Sequence, residues 1–449
     1  MKIARVVPIY KSGDKRMFTS YRPVSLLSQF SKILEKLFDK RLTDFINKYN
    51  ILCSSQYGFR SGCSTSHALV NLIEDITTAL DKRMSTLGVF IDLKKAFDTI
   101  DHELLIKKLQ HYGFRGIVLE WLKSYLKNRK QYIDYENTNS VLSEITCGVP
   151  QGSILGPKLF ILYVNDICNV SDILQFVIFA DDTNIYYSHH DLSTLYKSVT
   201  SELSKLYTWF LINKLSLNLD KKNYILFTNK KIVISNLEVK INDIHIKEVT
   251  CSKFLGVLID KKLTWKEHIS NLCNKLSKSI AIIHKVSNLL SSNALYTLYY
   301  SLFLPYLNYC LEVWGNTYKS NLMPLFLKQK RIIRIVCHEK PLAHTHILFQ
   351  KLKALTLFEL IKYKTGIFMY KAYNTLLPSN IQNYFSISTN NYNTKQSGNL
   401  RQNRVNTTKK QFCISYCGVN VWNSIALSIR ESKSISSFKY NFKKFVIAH

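Results

Sequence analysis

Two adjacent carboxylates at the tip of an apolar hairpin constrain this chain more than any other feature. Asp181 and Asp182 lie between apolar residues 174–180 and 185–187. Apolar–turn–apolar predicts a β-hairpin carrying both acids at its turn. Two negative charges held together cost free energy unless cations neutralise them. Hairpin-borne carboxylates that gather divalent cations suit two-metal nucleotidyl transfer above other chemistries. Asp also favours turns for its own reasons, so the pair taken alone fits a plain turn equally well.

The bulk properties narrow the choice. A chain of 449 residues has room for two or three domains. With 46% hydrophobic and 20% charged residues it is a folded, globular sequence. Its 61 Lys and Arg against 31 Asp and Glu leave a net charge of +30, which suits a polyanionic partner. Lys, Asn, Ile and Tyr are abundant together, so compositional drift also contributes to that charge. The ten cysteines show no disulfide rhythm and no zinc-site spacing. Cys413 and Cys417 are the closest pair, and Cys337, His338, His344 and His346 are the nearest approach to a metal-ligand cluster. Free thiols in a reducing, intracellular compartment are expected. No cleavable leader is read at the start. The most apolar stretch, 299–314, contains Pro305, Asn308 and Glu312 and reads as a buried helix, with no membrane span expected.

Periodicity predicts a strand over 3–10, a basic turn over 11–16, a helix over 29–49 and another over 66–83. A strand over 87–92 ends at Asp92. Helices over 101–110 and 115–127 follow, then a Gly/Pro loop over 147–153 running into an apolar helix that ends near 165. After the hairpin come a helix over 192–214, a strand over 223–228, a hairpin over 238–248 and a last strand over 254–259. Residues from 262 to 376 read as helical, and 386–408 as a polar loop. The order indicates an α+β unit followed by an α-rich one.

Asp92 is the third acid: it ends its strand in Phe90-Ile91-Asp92-Leu93-Lys94-Lys95-Ala96-Phe97-Asp98. Carboxylates on neighbouring strands can bridge two cations about 3.5–4 Å apart. Here the segments resemble the reverse transcriptases of non-LTR (LINE-type, jockey-like) retrotransposons. The matching stretches run in order: VVPIYKSGDK, YRPVSLLS, SQYGFRSGCSTSHAL, VFIDLKKAFDTIDHELL, GVPQGSILGPKLFILYVND, FADDT, LSLNLDKKNYILF and KFLGVLIDKKLTWKEHI. The helical tail is similar to the family's C-terminal region in LYYSLFLPYLNYCLEVWG, QKRIIRIV and VWNSIALSIRESKSISSFK.

The resemblance implies a right-hand fingers–palm–thumb polymerase. Fingers and palm would occupy 1–260, a thumb-like helical region 261–340, and a C-terminal helical region 341–449. It implies RNA-directed DNA synthesis with two Mg2+ ions, Mn2+ being an alternative. An RNA template, a DNA primer or target, and deoxynucleoside triphosphates would be the partners. Asp92, Asp181, Asp182 and the Leu93 carbonyl would be the metal ligands. Lys11 and Arg22 would hold the triphosphate, for which a bidentate guanidinium is well suited. Phe97 would exclude a ribose 2′-hydroxyl, and Gln151 and Gly152 would approach the nucleotide. Phe254, Leu255 and Gly256 would form the primer grip. Lys221 would occupy the position of a proton donor to pyrophosphate, with Lys222 beside it. The first matching motif falls almost at Met1, which reads as an N-terminally truncated copy without an endonuclease domain. The rival reading is an inactive remnant that only binds RNA.

Overall fold

The computed structural model describes residues 2–136, 138–218, 222–230, 237–242, 244–387 and 399–448. The architecture is α+β. A first sheet is built from β1 (Ile3–Tyr10), β2 (Tyr21–Leu26), β4 (Arg129–Tyr135), β5 (Thr138–Asn139) and β6 (Ser143–Ile145), in the order β2-β1-β4-β5 with β6 paired to β4. The central sheet runs β12-β9-β3-β8-β7. Its members are β3 (Ser85–Ile91), β7 (Gln175–Phe179), β8 (Asp182–His189), β9 (Asn223–Phe227) and β12 (Lys247–Glu248). Two hairpins complete the strands, β10 (Lys240–Ile241) with β11 (Ile244–His245) and β13 (Cys251–Phe254) with β14 (Val257–Asp260).

Helices α1 (Gln29–Lys48), α2 (Thr65–Asp81), α3 (His102–His111), α4 (Gly116–Leu126), α5 (Gly156–Tyr163), α6 (Leu192–Ile212) and α7 (Lys266–Val286) surround these sheets. Their starts are chemically marked. Ser28, Ser64, Asp101 and Asp191 each accept a backbone N–H of the first turn, which satisfies a donor the helix cannot. Beyond α7, helical segments continue to Lys319–Val336, Leu357–Tyr373 and Ile435–Ala448.

Strand β3 is buried along its whole length because both faces are covered. Leu87, Val89 and Ile91 face one core, shared with α3, α4, α5 and α6. Phe90 faces a second core, which runs unbroken from α2 through the β13–β14 hairpin to Val446. Residues on both sides of position 340 therefore share one core. A buried ion pair ties the ends of the chain: Glu74 of α2, 1% exposed, binds Lys410, 8% exposed. Ser415 donates to the same carboxylate through its backbone N–H and its hydroxyl, at 2.7 Å each.

Two stretches without an expected element form strands, and two expectations change. Residues 21–26, to which periodicity assigns no element, form an edge strand, with Pro23 opposite Pro8 where no ladder N–H is needed. Strands β4–β6 carry no local signal; β4 exists because it pairs in parallel with β1, more than a hundred residues away. The last strand, expected over 254–259, is instead a tight hairpin. Leu255 (φ 45°) and Gly256 (φ 79°) make its turn, and two positive φ values are what a two-residue hairpin loop needs. The helix expected over 299–314 is broken: Cys310 (φ 49°) is left-handed between Leu304–Asn308 and Leu311–Trp314.

The expectation of free thiols also fails for one pair. Cys53 and Cys168 form a disulfide, with Cα atoms 6.9 Å apart. Asn165 brings them together by accepting from Cys53 N (2.7 Å) and donating to the Ile51 carbonyl (2.8 Å). The other eight cysteines are free. Among the described residues no helix is long and apolar enough to cross a membrane.

Candidate active site

The three acids meet where β3 ends and the β7–β8 hairpin turns. Ile91 pairs with Thr183, so the next step of the register sets Asp92 against Asp182. Alternation puts both on the Phe90 face of the sheet. Phe179 pairs with Asp182, leaving Ala180 and Asp181 as a two-residue turn with Ala180 at φ 58°. Asp92 is oriented by Asn218, whose amide donates to Asp92 Oδ2 (3.1 Å) and whose backbone N–H donates to the Asp92 carbonyl (2.9 Å). Lys94 N donates to the Ser216 carbonyl at 2.8 Å. This bridge, centred on Leu93 and Leu217, uses the carbonyls of Asp92 and Ser216 and passes over that of Leu93.

Burial raises the pKa of the Asp181 carboxyl, and repulsion from Asp92 adds to the rise; its own backbone amide, Arg22 and Lys11 oppose it. Asp92, Arg22 and Lys11 thus all lie within electrostatic reach of Asp181. Arg22 on β2 and Lys11 at the end of β1 are both exposed, leaving their charged ends accessible to a polyanion. Among the described residues no three His, Cys, Asp or Glu side chains are gathered at metal-ligand spacing, Cys337, His338, His344 and His346 included. The Asp acids converge through strand register without closing a cage. Their donor set is hard oxygen throughout, which suits Mg2+ or Mn2+. The mutual repulsion felt by Asp181 is what a cation would relieve.

Sequence reasoning missed the support beneath this turn. Gln56, 2% exposed, accepts with its Oε1 from Gly58 N (2.8 Å) and Ala180 N (3.1 Å). Tyr57 N donates to the Ile178 carbonyl (2.8 Å) and Ile178 N to the Ser55 carbonyl (2.9 Å). Gly58 lies so close that an added Cβ would stand 2.3 Å from Ala180 N. The signal was SQYGFR: a polar residue and a Gly beside apolar neighbours, which only the β7 contact explains. Gln56→Leu strands two buried donors behind Asp181. Single-turnover extension at saturating primer should fall on the order of 10²-fold, because small misplacements of reacting groups are that costly. Gln56→Glu, which keeps the acceptor, should lose less.

Phe97 is half-buried, its ring 4.7 Å from Phe160 and 6.3 Å from Phe59. Gln151 donates to Asp98 Oδ1 at 2.9 Å, opposing the burial that raises the Asp98 pKa. The close approach at Gly152 (φ 128°) is to Ser25: a Cβ would stand 2.5 Å from the Ser25 carbonyl. Ser25 N in turn donates to the Gln151 carbonyl at 2.7 Å. The 147–153 loop therefore fastens the strand bearing Arg22 to the turn bearing Phe97 and Asp98.

Phe254 is buried and meets Phe90 edge-on at 5.9 Å, which anchors the β13–β14 hairpin to the strand that carries Asp92. Leu255 and Gly256 form its turn. Lys221 lies outside the described residues. Lys222 is described: it precedes Asn223, which pairs with Phe90. It therefore shares the parity of Tyr224, whose ring meets Tyr196 of α6 on the sheet face away from Asp92.

Lys222 is 6% exposed, its ammonium has no hydrogen-bond partner among the described residues, and burial pushes its pKa down to about 8. Between pH 8 and the ordinary lysine range the unfolded chain binds more protons, so stability rises with pH there. Lys222→Met should stabilise the fold by about 2 kcal/mol at pH 7. The gain should be full below pH 8 and fade above it, as chemical denaturation at several pH values would read.

Residues 9–259 match the family described as reverse transcriptase (RNA-dependent DNA polymerase). Among curated proteins, the probable RNA-directed DNA polymerase from transposon X-element of Drosophila melanogaster is 29% identical over 373 residues, covering 80% of this chain and 40% of that protein. The corresponding transposon BS protein of the same species is 30% identical over 349 residues, covering 75% and 38%. The RNA-directed DNA polymerase from mobile element jockey, also of that species, is 28% identical over 344 residues, covering 74% and 37%. The chain thus spans at most 40% of the length of these relatives. Among solved structures, apo telomerase from Candida tropicalis gives a TM-score of 0.41 at 11% identity over 84% of this chain and 68% of that one, a likeness too low to carry an argument. The family match spans more than half of the sequence and encloses all three acids, and on that ground this protein belongs to the reverse transcriptase (RNA-dependent DNA polymerase) family.

Proposed function

We propose that this chain adds deoxynucleotides to a DNA primer on an RNA template, as the polymerase of a LINE-type retroelement. The observation that carries the reading is the register that sets Asp92 against Asp182, with Asp181 at the adjoining turn and Arg22 and Lys11 within its electrostatic reach. Two Mg2+ ions held by Asp92, Asp181, Asp182 and the Leu93 carbonyl would, when bound, supply charge neutralisation at the attacking 3′-hydroxyl and the departing pyrophosphate.

The remaining work falls to the chain itself. Arg22 and Lys11 bind the triphosphate and hold it over the acids, Arg22 by two parallel hydrogen bonds. Asn218 holds Asp92 in one orientation, and Gln56 holds the Asp181 turn. Gln151 steadies Asp98 and the loop beneath the sugar, and Gly152 lets that loop join β2. Phe97, wedged against Phe160, is a rigid wall where a ribose 2′-hydroxyl would stand. The Phe254–Gly256 turn steadies the primer strand. The net charge of +30 draws template and primer by long-range attraction. These substrates place the activity inside the cell, in cytoplasm or nucleus.

Purified protein tested with a DNA primer annealed to an RNA template, Mg2+ and deoxynucleotides should extend the primer. Absence of extension with retained template binding would leave the RNA-binding remnant as the better reading. In the same assay Phe97→Val should raise the use of ribonucleotides about tenfold or more relative to deoxynucleotides, the size of a lost steric exclusion. Unchanged sugar selectivity would remove Phe97 from the nucleotide site.

A further inference from the structure

We infer that Tyr309, from the helical region beyond the palm, is a contact for the base of the primer's terminal nucleotide. The inference rests on the polymerase reading above and extends it to a residue outside the matched region 9–259.

Tyr309 closes the segment Leu304–Asn308 and immediately precedes Cys310, whose left-handed backbone (φ 49°) turns the chain sharply. That break swings the Tyr309 ring onto the hairpin turn formed by Leu255 and Gly256. Its hydroxyl donates to the Leu255 carbonyl at 2.8 Å. A Cβ on Gly256 would stand 3.2 Å from Tyr309 Cε1, so the glycine leaves room for the ring. The residue is nevertheless 42% exposed, although its hydroxyl and one ring edge meet the hairpin. Burial raises the phenol's pKa, with Asp182 among the lesser contributions, which places the ring within electrostatic reach of that acid. The neighbouring contacts explain its fixed position: Cys310 Sγ lies 3.7 Å from Thr65 Oγ1, and Glu312 accepts from Ser66 Oγ at 3.0 Å.

A half-exposed tyrosine, fixed by its hydroxyl on the Leu255–Gly256 turn, has the properties of a stacking platform. Bases stack on such rings regardless of sequence. A primer end must rest beside both the grip and the acids; Tyr309 touches the first and lies within electrostatic reach of Asp182.

The test is equilibrium binding of a fluorescein-labelled DNA primer annealed to an RNA template, read by anisotropy on the full chain. Tyr309→Ala should bind about tenfold more weakly, in line with loss of one base–aromatic stack. Tyr309→Phe, which keeps the ring, should stay within about twofold. A primer with an abasic 3′-terminal nucleotide should erase the difference between wild type and Tyr309→Ala. Unchanged affinity of Tyr309→Ala would overturn the inference. So would an equal loss in Tyr309→Phe, which would mark the hydroxyl's link to Leu255 as the only role, or a difference that survives the abasic primer. Binding needs no turnover, so a chain that shows this pattern but never extends a primer would refute the polymerase reading alone. A chain that extends primers without the pattern would refute the Tyr309 assignment alone.

Discussion

Asp181→Asn should lower single-turnover primer extension by on the order of 10³-fold or more, with primer–template affinity unchanged within about twofold. The substitution keeps the size of the side chain and the turn that carries it, since Ala180 N is held by Gln56 and not by Asp181. It removes one negative oxygen donor from the proposed metal-ligand set, whose other members are Asp92, Asp182 and the Leu93 carbonyl. The metal-free fold should respond in the opposite direction. The Asp181 pKa is raised, first by burial and then by Asp92, so the folded chain holds that proton to higher pH than the unfolded chain. Stability contributed by this group therefore falls as pH rises through the window between its ordinary and its raised pKa. Asp181→Asn should melt higher than wild type at pH 7 without metal, and saturating Mg2+ should stabilise wild type more than the variant. An unchanged extension rate would remove Asp181 from the reaction. A lower melting point without metal would contradict the repulsion that burial and Asp92 impose.

Lys410→Met is expected to cost about 3–5 kcal/mol of stability, read as a lower denaturation midpoint. It leaves the Glu74 carboxylate, 1% exposed, with Ser415 as its remaining charge-stabilising donor. Glu74→Leu combined with Lys410→Met should recover most of that loss, because two well-packed apolar side chains replace a buried pair at little net cost. The effect should reach activity as well. Helix α2 also carries Asp75, which accepts from Tyr384 at 2.7 Å and from Tyr186 on β8, the strand that begins with Asp182. Loosening the C-terminal region from α2 thus loosens the back of the hairpin that carries Asp181 and Asp182. A single variant as stable as the double variant would show that the pair is not the fastening.

Strong local patterns were legible without coordinates. Helix α1 repeats apolar residues at helical spacing and begins at Ser28, and the structure has Gln29–Lys48 where 29–49 was expected. The acid-bearing hairpin was legible because two apolar runs bracket Asp181 and Asp182. Strand β4 was not, because Arg129–Tyr135 mixes charged and aromatic residues and acquires its state from β1. Gln56 was not, because a single amide in a polar loop means nothing until Ala180 N lies 3.1 Å away. Lys221 and Lys222 were indistinguishable in sequence; strand parity puts Lys222 on the α6 face, away from Asp92.

The opening pair of acids divides the two sources of information in the same way. Residue type, adjacency and the apolar runs around them were enough to determine a hairpin turn bearing two carboxylates, because hydrophobic periodicity and turn chemistry are local. What those acids meet depended on partners up to 170 residues away: Asp92 through the register of β3 on β8, Arg22 and Lys11 through the first sheet, and Gln56 through the edge of β7. Only the tertiary structure decided that, because electrostatic coupling and backbone hydrogen bonding depend on distance in space, which local pattern does not encode.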